Sequence, residues 1–326
     1  MSPRTTPIRN RLPLHTRRAF LSAVSAWSAS PLLGPLAARA AQTSFAQEIA
    51  PGVHVHQGQI ALFNPENRGD ISNAGFVIGT QAVAVIDTGG SVLAGTQLRQ
   101  AVRAKTDLPI RYVINTHMHP DHVFGNAAFA GDAPAFVGHA KLARGLGARS
   151  ERYLGINKGL LGEAAFAGVR IVMPTLAVED HMTLDLGGRT LELLAQKTAH
   201  TDNDLTVRCS ATNTLFLGDL LFAEHIPVID GSIRGWIAFM ERLSGVPAGR
   251  VVPGHGPASM SWPDAAKPLL RYLEAVATDV RRLIKENRTL SEAIATAGVS
   301  EKDAWLLFED YHARNVSAAF AELEWE

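Results

Sequence analysis

The run Thr116-His117-Met118-His119-Pro120-Asp121-His122 sets four potential metal ligands within six positions. It follows an apolar, β-branched segment, residues 110–115, that predicts a strand. Two histidines at i and i+2 on extended backbone point to the same side, so His117 and His119 can grip one ion together. Pro120 breaks the strand, and Asp121 and His122 then open a turn or helix from which they can reach a second ion. Imidazole and carboxylate at this density suit zinc. A lone His-x-His pair says far less. His54 and His56 form one in the same chain and read as structural residues of a strand.

Three more stations follow. Ala199-His200-Thr201-Asp202-Asn203-Asp204 is a loop before a strand. Leu217-Gly218-Asp219-Leu220 reads as an apolar strand ending in an acid. Pro253-Gly254-His255-Gly256-Pro257 is a glycine-rich turn with one histidine. Asp87 closes the apolar run 83–86. Across residues 49–256, these features resemble the five motifs of the metallo-β-lactamase superfamily.

The resemblance implies an α+β fold, the αββα sandwich of two similar halves, here with extra C-terminal helices. It also implies two zinc ions per chain. His117, His119 and His200 would bind the first, and Asp121, His122 and His255 the second, with Asp219 bridging. A hydroxide between the ions would be the nucleophile, and Asp121 would orient it or shuttle its proton. Asp87 is expected to hold the free N–H of a ligand imidazole; the alternative is a plain turn carboxylate. Iron stays open as the metal, because the same donors bind it.

One β-lactamase subclass has cysteine where Asp219 stands, although it shares the His-Thr-x-Asp-Asn pattern of residues 200–203. A bridging aspartate instead resembles glyoxalase II and lactonases. Flavodiiron oxidoreductases of this fold carry glutamate at the place of His119, which favours hydrolysis here. Ester, thioester, lactone and lactam substrates all remain open. A narrower resemblance, to the zinc metallohydrolases of periplasmic quinoprotein (pyrroloquinoline quinone) systems, lies in three runs: Val123-Phe124-Gly125-Asn126 after the ligands, Gly218-Asp219-Leu220-Leu221-Phe222 with Glu224-His225-Ile226-Pro227, and Asp230-Gly231-Ser232 with Gly235-Trp236. The expectation is a periplasmic dizinc hydrolase acting on a small molecule and tied to a quinoprotein dehydrogenase pathway. The rivals are a true β-lactamase, a non-catalytic metal-binding factor for quinoprotein assembly, and an iron-loaded oxidoreductase such as a persulfide dioxygenase.

His225 and Asp230 lie a few residues beyond Asp219, where they either touch substrate or hold a loop. Trp236 reads as packing. Arg149, Arg152 and Tyr153 read as a solvated helix face that could also meet an anionic substrate. Cys209, in the alternating run 205–209, reads as a small core residue.

Further elements must position these groups. Residues 49–57 predict a first strand, 75–79 and 82–86 a hairpin, 91–106 a helix and 135–137 a short strand. The span 139–160 predicts a helix inside a helical insertion, 141–169. Residues 178–189 predict a strand and a Gly187-Gly188 turn, and 190–195, 204–209 and 214–217 three strands. Helices are predicted at 263–287, 291–297 and 303–323.

The whole chain has 326 residues, 46% of them hydrophobic, a globular composition. Lys+Arg and Asp+Glu are 31 each, but residues 1–40 hold six arginines and no acid, leaving 25 basic against 31 acidic residues and a formal charge of −6 for the remainder. A mildly acidic body without basic clusters argues against nucleic acid as a partner. Thr16-Arg17-Arg18-Ala19-Phe20-Leu21 resembles a twin-arginine export signal, and Ala38-Arg39-Ala40 a small-x-small cleavage site. Residues 1–40 are therefore expected to be a signal peptide and 41–326 the mature periplasmic hydrolase, with no membrane span. A single cysteine excludes an intrachain disulfide.

Overall fold

The strand expected at 49–57 is two strands in this computed structural model, which describes residues 44–326. Pro51-Gly52 makes a turn, with Gly52 at φ +70°, and reverses the chain between β1 (Gln47–Ala50) and β2 (Val53–His56). The signal-peptide expectation for residues 1–40 lies outside the described residues.

The first sheet continues through β3 (Ala74–Ile78) and β4 (Val83–Ile86), then helix α1 (Val92–Arg103), β5 (Ile110–Ile114), helix α2 (Pro120–Val123), β6 (Ala135–His139), helix α3 (Leu142–Phe166) and β7 (Leu176–Val178). Its seven strands lie in chain order, antiparallel from β1 to β4 and parallel from β4 to β7. The side chain of Ser91 caps α1 by accepting from the Ala94 N–H.

The second sheet holds β8 (His181–Asp185), β9 (Thr190–Ala195), β10 (Leu205–Cys209), β11 (Thr214–Phe222) and, after helix α4 (Ile233–Ser244), β12 (Arg250–His255), in the order β12-β11-β10-β9-β8. Helices α5 (Ala266–Lys285), α6 (Leu290–Thr296) and α7 (Phe308–Leu323) close the chain.

Three apolar layers hold these elements together. Val53, Val77, Ile114 and Val137 meet Leu193, Val207, Phe216 and Val252 between the sheets. Phe76, Val85, Leu98 and Val102 seat α1 on the outer face of the first sheet. Leu215, Trp236, Leu269, Tyr272 and Val316 seat the later helices on the second. The αββα sandwich with added C-terminal helices is thus the architecture found.

Several boundaries differ from the sequence expectation, each for a local reason. The 178–189 strand divides, because the chain passes from β7 in the first sheet to β8 in the second across Glu179-Asp180. The 214–217 strand runs on to Phe222 through Asp219, since β12 pairs beside it in parallel. That β12 takes in Pro253, Gly254 and His255, the first part of the stretch read as a glycine turn. Helix α3 starts only at Leu142 because β6 keeps His139 extended, and Gly162, at φ 73°, kinks it. The 303–323 helix starts at Phe308, after a separate 3-10 turn over Val299–Ala304. Helix α4 had no counterpart in the sequence reading.

Candidate metal centre

The first cluster of donors is placed by where β5 stops. Thr116 donates its N–H to Asp87 Oδ1 at 2.8 Å and its hydroxyl to Asp87 Oδ2 at 2.7 Å. Asp87 adopts φ +55°, uncommon for a side-chain-bearing residue, and so aims its carboxylate across the strand ends. His119 remains extended as the cap of α2, and Pro120 opens that helix where its missing N–H costs nothing. Thr88 and Asn115 both donate to the His122 carbonyl, which pins the turn. The second cluster comes from the other sheet: His200 before β10, Asp219 within β11 and His255 at the end of β12. There Gly218 sits at φ +51° at a register shift, and Gly254 leaves room for the Asp219 carboxylate.

These residues converge on two groups. His117 Nε2 and His200 Nε2 lie 3.1 and 3.0 Å from His119 Nδ1. Asp219 Oδ2 is 3.6 and 3.4 Å from the same two Nε2 atoms. In the second group, Asp121 Oδ2 lies 3.3 Å from His122 Nε2 and 3.2 Å from His255 Nε2. The other oxygen of Asp219, Oδ1, is 3.0 and 3.5 Å from those nitrogens. One carboxylate therefore faces both groups, one oxygen to each.

The outward ring nitrogen of every histidine also has a partner. His117 Nδ1 meets Thr116 Oγ1, His122 Nδ1 meets Asp87 Oδ2, and His119 Nε2 meets Asp230 Oδ2. His200 and His255 donate from Nδ1 to the carbonyls of Val228 and Ile71. Such partners fix ring orientation and leave the inward nitrogen free to bind.

The donor set fits metal ions. His122 Nε2 and Asp219 Oδ1 are buried and lie 3.0 Å apart, yet they are not aligned for a hydrogen bond and neither has another partner, a costly state that a cation would relieve. Burial holds His117 far below the usual imidazole range and His200 at about 3, so both offer lone pairs at neutral pH. Burial opposes the ionisation of Asp121 and Asp219. The surrounding histidines outweigh it and hold both carboxyls well below the usual range. Burial also opposes protonation of His255, but Asp219 and Asp121 push it up to about 9, so this group already seeks positive charge.

A cavity of about 670 Å³ opens onto Asp121, Asp219, His119 and His255. Helix α3 forms one wall and α7 contributes Tyr311 and Arg314. Asp230 reaches this cavity, but its carboxylate is taken up by His119, Arg149 and Arg314. His225 lines the cavity beside His255, with ring centres 4.8 Å apart, and its Nδ1 bonds the Ile226 carbonyl. Trp236 lies fully buried under His200 and donates to the Leu220 carbonyl. Cys209 is buried between the sheets. His54 stacks on Phe76, and His56 pairs with Asp70, and neither belongs to a donor group.

Sequence reasoning missed Thr116 and the carbonyls of Ile71 and Val228, since a carbonyl leaves no residue signature. It also missed Tyr311 and Arg314, whose helix carries no motif.

Comparison with known proteins agrees with this geometry. The family model for the metallo-beta-lactamase superfamily matches residues 67–255, and the chain belongs to that superfamily. The beta-lactamase-like protein 2 homolog of Caenorhabditis elegans is 21% identical over 234 residues, 71% of each chain. The linear primary-alkylsulfatase of Pseudomonas sp. is 21% identical over 212 residues, covering 54% of this chain and 40% of that one. A solved metallo-beta-lactamase from Pontibacter korlensis shares the fold at a TM-score of 0.56 and 20% identity, over 70% of this chain and 98% of its own.

Proposed function

We propose that the protein is a periplasmic dizinc hydrolase that cleaves a carbonyl–heteroatom bond in a small molecule and serves a quinoprotein system. The observation that carries the hydrolase reading is the division of Asp219 between two groups of imidazole and carboxylate donors at a cavity floor. His117, His119, His200 and Asp219 would hold one ion; Asp121, His122, His255 and the other oxygen of Asp219 would hold the second. When bound, the ions supply Lewis acidity and a water of lowered pKa.

The chain's own groups do the rest. Asp121 and Asp219 both line the cavity, but Asp121 faces one donor group only and is held ionised, so it can accept a hydrogen bond from the attacking water and relay its proton. Asp87 and Asp230 keep His122 and His119 turned inward. The export setting rests on the twin-arginine pattern at Arg17-Arg18, and the quinoprotein link on the residue runs after His122 and Asp219.

Asp121→Ala is expected to abolish turnover in a zinc-loaded protein whose circular dichroism is unchanged. Chromogenic ester, thioester, lactone and lactam substrates give the readout. A medium-chain alkyl sulfate belongs in the same panel, because one relative is an alkylsulfatase. Full activity in a metal-verified Asp121→Ala protein would sink the mechanism.

A further inference from the structure

Arg149, Arg152, Tyr153, Ile156 and Leu160 all line the cavity. Their spacing, i, i+3, i+4, i+7 and i+11, is one face of α3. That face changes character along its length, from guanidinium at one end to exposed aliphatic side chains at the other. Ile156 is 50% and Leu160 47% exposed, and Leu62, also on the cavity, is 40% exposed. Arg149 to Leu160 spans about 16 Å of helix.

The polar end is rich in cations. Arg314, from α7, faces Arg149 across Asp230, at 3.2 and 3.4 Å from its carboxylate oxygens. That one carboxylate also serves His119, at 2.9 Å. Arg152 has no ion-pair or hydrogen-bond partner among the described residues. Two guanidiniums thus share one acid on this wall and the third, Arg152, is left over, while the other cavity acids, Asp121 and Asp219, face the histidines. Arginine donates and never accepts. The phenols of Tyr153 and Tyr311 stand on the same cavity, also without partners among the described residues; burial raises both and keeps them protonated. The wall therefore presents an excess of donors and of positive charge beside an apolar slope.

We propose that the cavity takes an amphiphilic organic monoanion, with its anionic group held by Arg152 and Arg314 near Asp230 and its apolar body laid along Ile156, Leu160 and Leu62. The inference rests on the hydrolase reading for its reaction and deepens it by naming the substrate class.

Binding, measured by isothermal titration on the zinc-loaded full chain, tests it apart from turnover. The probes are 1-octanesulfonate, 1-octanol and methanesulfonate. Octanesulfonate is expected to bind roughly tenfold or more tighter than either partial mimic. In the Arg152→Gln/Arg314→Gln double variant, with zinc content unchanged, that affinity is expected to fall by roughly tenfold while octanol shifts by less than about threefold. Ile156→Ser/Leu160→Ser is expected to weaken octanesulfonate and leave methanesulfonate alone. Equal binding of octanol, or octanesulfonate binding that survives loss of both arginines, overturns the proposal, the latter because the metals alone would then hold the anion. So does the absence of binding by any probe. If octanesulfonate binds as expected and no substrate class is turned over, the anion subsite stands and the hydrolase reading falls.

Discussion

Asp219 is the residue through which the two donor groups meet, and its behaviour depends on neighbours that never touch an ion. Asp87 is the plainest case. It holds His122 Nδ1 at 2.8 Å and both polar groups of Thr116. Asp87→Ala is expected to weaken zinc binding by roughly 10–100-fold in a competition titration with a chromophoric chelator; unchanged affinity would show that His122 needs no orienting partner. The buried imidazoles also set a pH dependence. Burial lowers His200 to about 3 and His225 to about 4 in the fold, against an unfolded value near 6.5. Below pH 6.5 the unfolded chain therefore binds more protons than the fold, and stability drops as pH falls from 6.5 toward 4. At pH 5 this costs about 2 kcal/mol for each such histidine. In chelator-treated protein, the urea-derived stability of His225→Leu is expected to fall between pH 7 and pH 5 by about 2 kcal/mol less than that of the wild type. An identical fall in both proteins would contradict the assignment.

At the level of elements, the site depends on β11 and β12 running side by side in parallel with no side chain at two places. A Cβ on Gly254 would stand 1.9 Å from Asp219 Oδ1, and one on Gly218 would stand 2.5 Å from Thr116 Oγ1. Gly254→Ala is expected to push the bridging carboxylate aside, dropping bound zinc below two per chain at a stability cost of about 1–3 kcal/mol. Elemental analysis beside a urea titration reads both, and a Gly254→Ala protein that still holds two zinc would overturn this account. These glycines also mark the limit of what the sequence could show. Its period-2 patterns located most strands, and the donor motifs stood at their ends. The Pro253-Gly254 pair looked like turn residues, however, because a glycine required by a neighbour's carboxylate is indistinguishable from one that ends a strand. The β1–β2 reversal at Pro51-Gly52 was likewise hidden inside an alternating run read as one strand. Loop 224–232 is held by distant contacts that no local pattern foretells. Asn315 of α7 donates to the Pro227 carbonyl and accepts from the Ile229 N–H, while Glu322 accepts from Ser232 and Ile233. The C-terminal helices thus brace the loop that carries Asp230.

Over the whole molecule, the donors divide between halves. The first sheet's loops supply His117, His119, Asp121 and His122, and the second sheet supplies His200, Asp219 and His255. This division was readable in the sequence, because the first four donors follow one predicted strand and the other three stand in separate motifs beside later ones. The cavity was only partly readable: Arg149, Arg152 and Tyr153 stood out as a helix face, whereas the exposed Ile156 and Leu160 beyond them carried no signal and the face they meet on α7 follows from packing alone. Ions bound between the halves would tie them together, which makes hydrolysis and zinc occupancy one question. The most direct test adds zinc in steps to chelator-treated protein while the hydrolysis rate is followed on the best substrate of the panel. The account predicts no hydrolysis without metal and a rate that levels off at two zinc per chain. A rate indifferent to added zinc, or zinc-saturated protein that hydrolyses nothing in the panel, would contradict it.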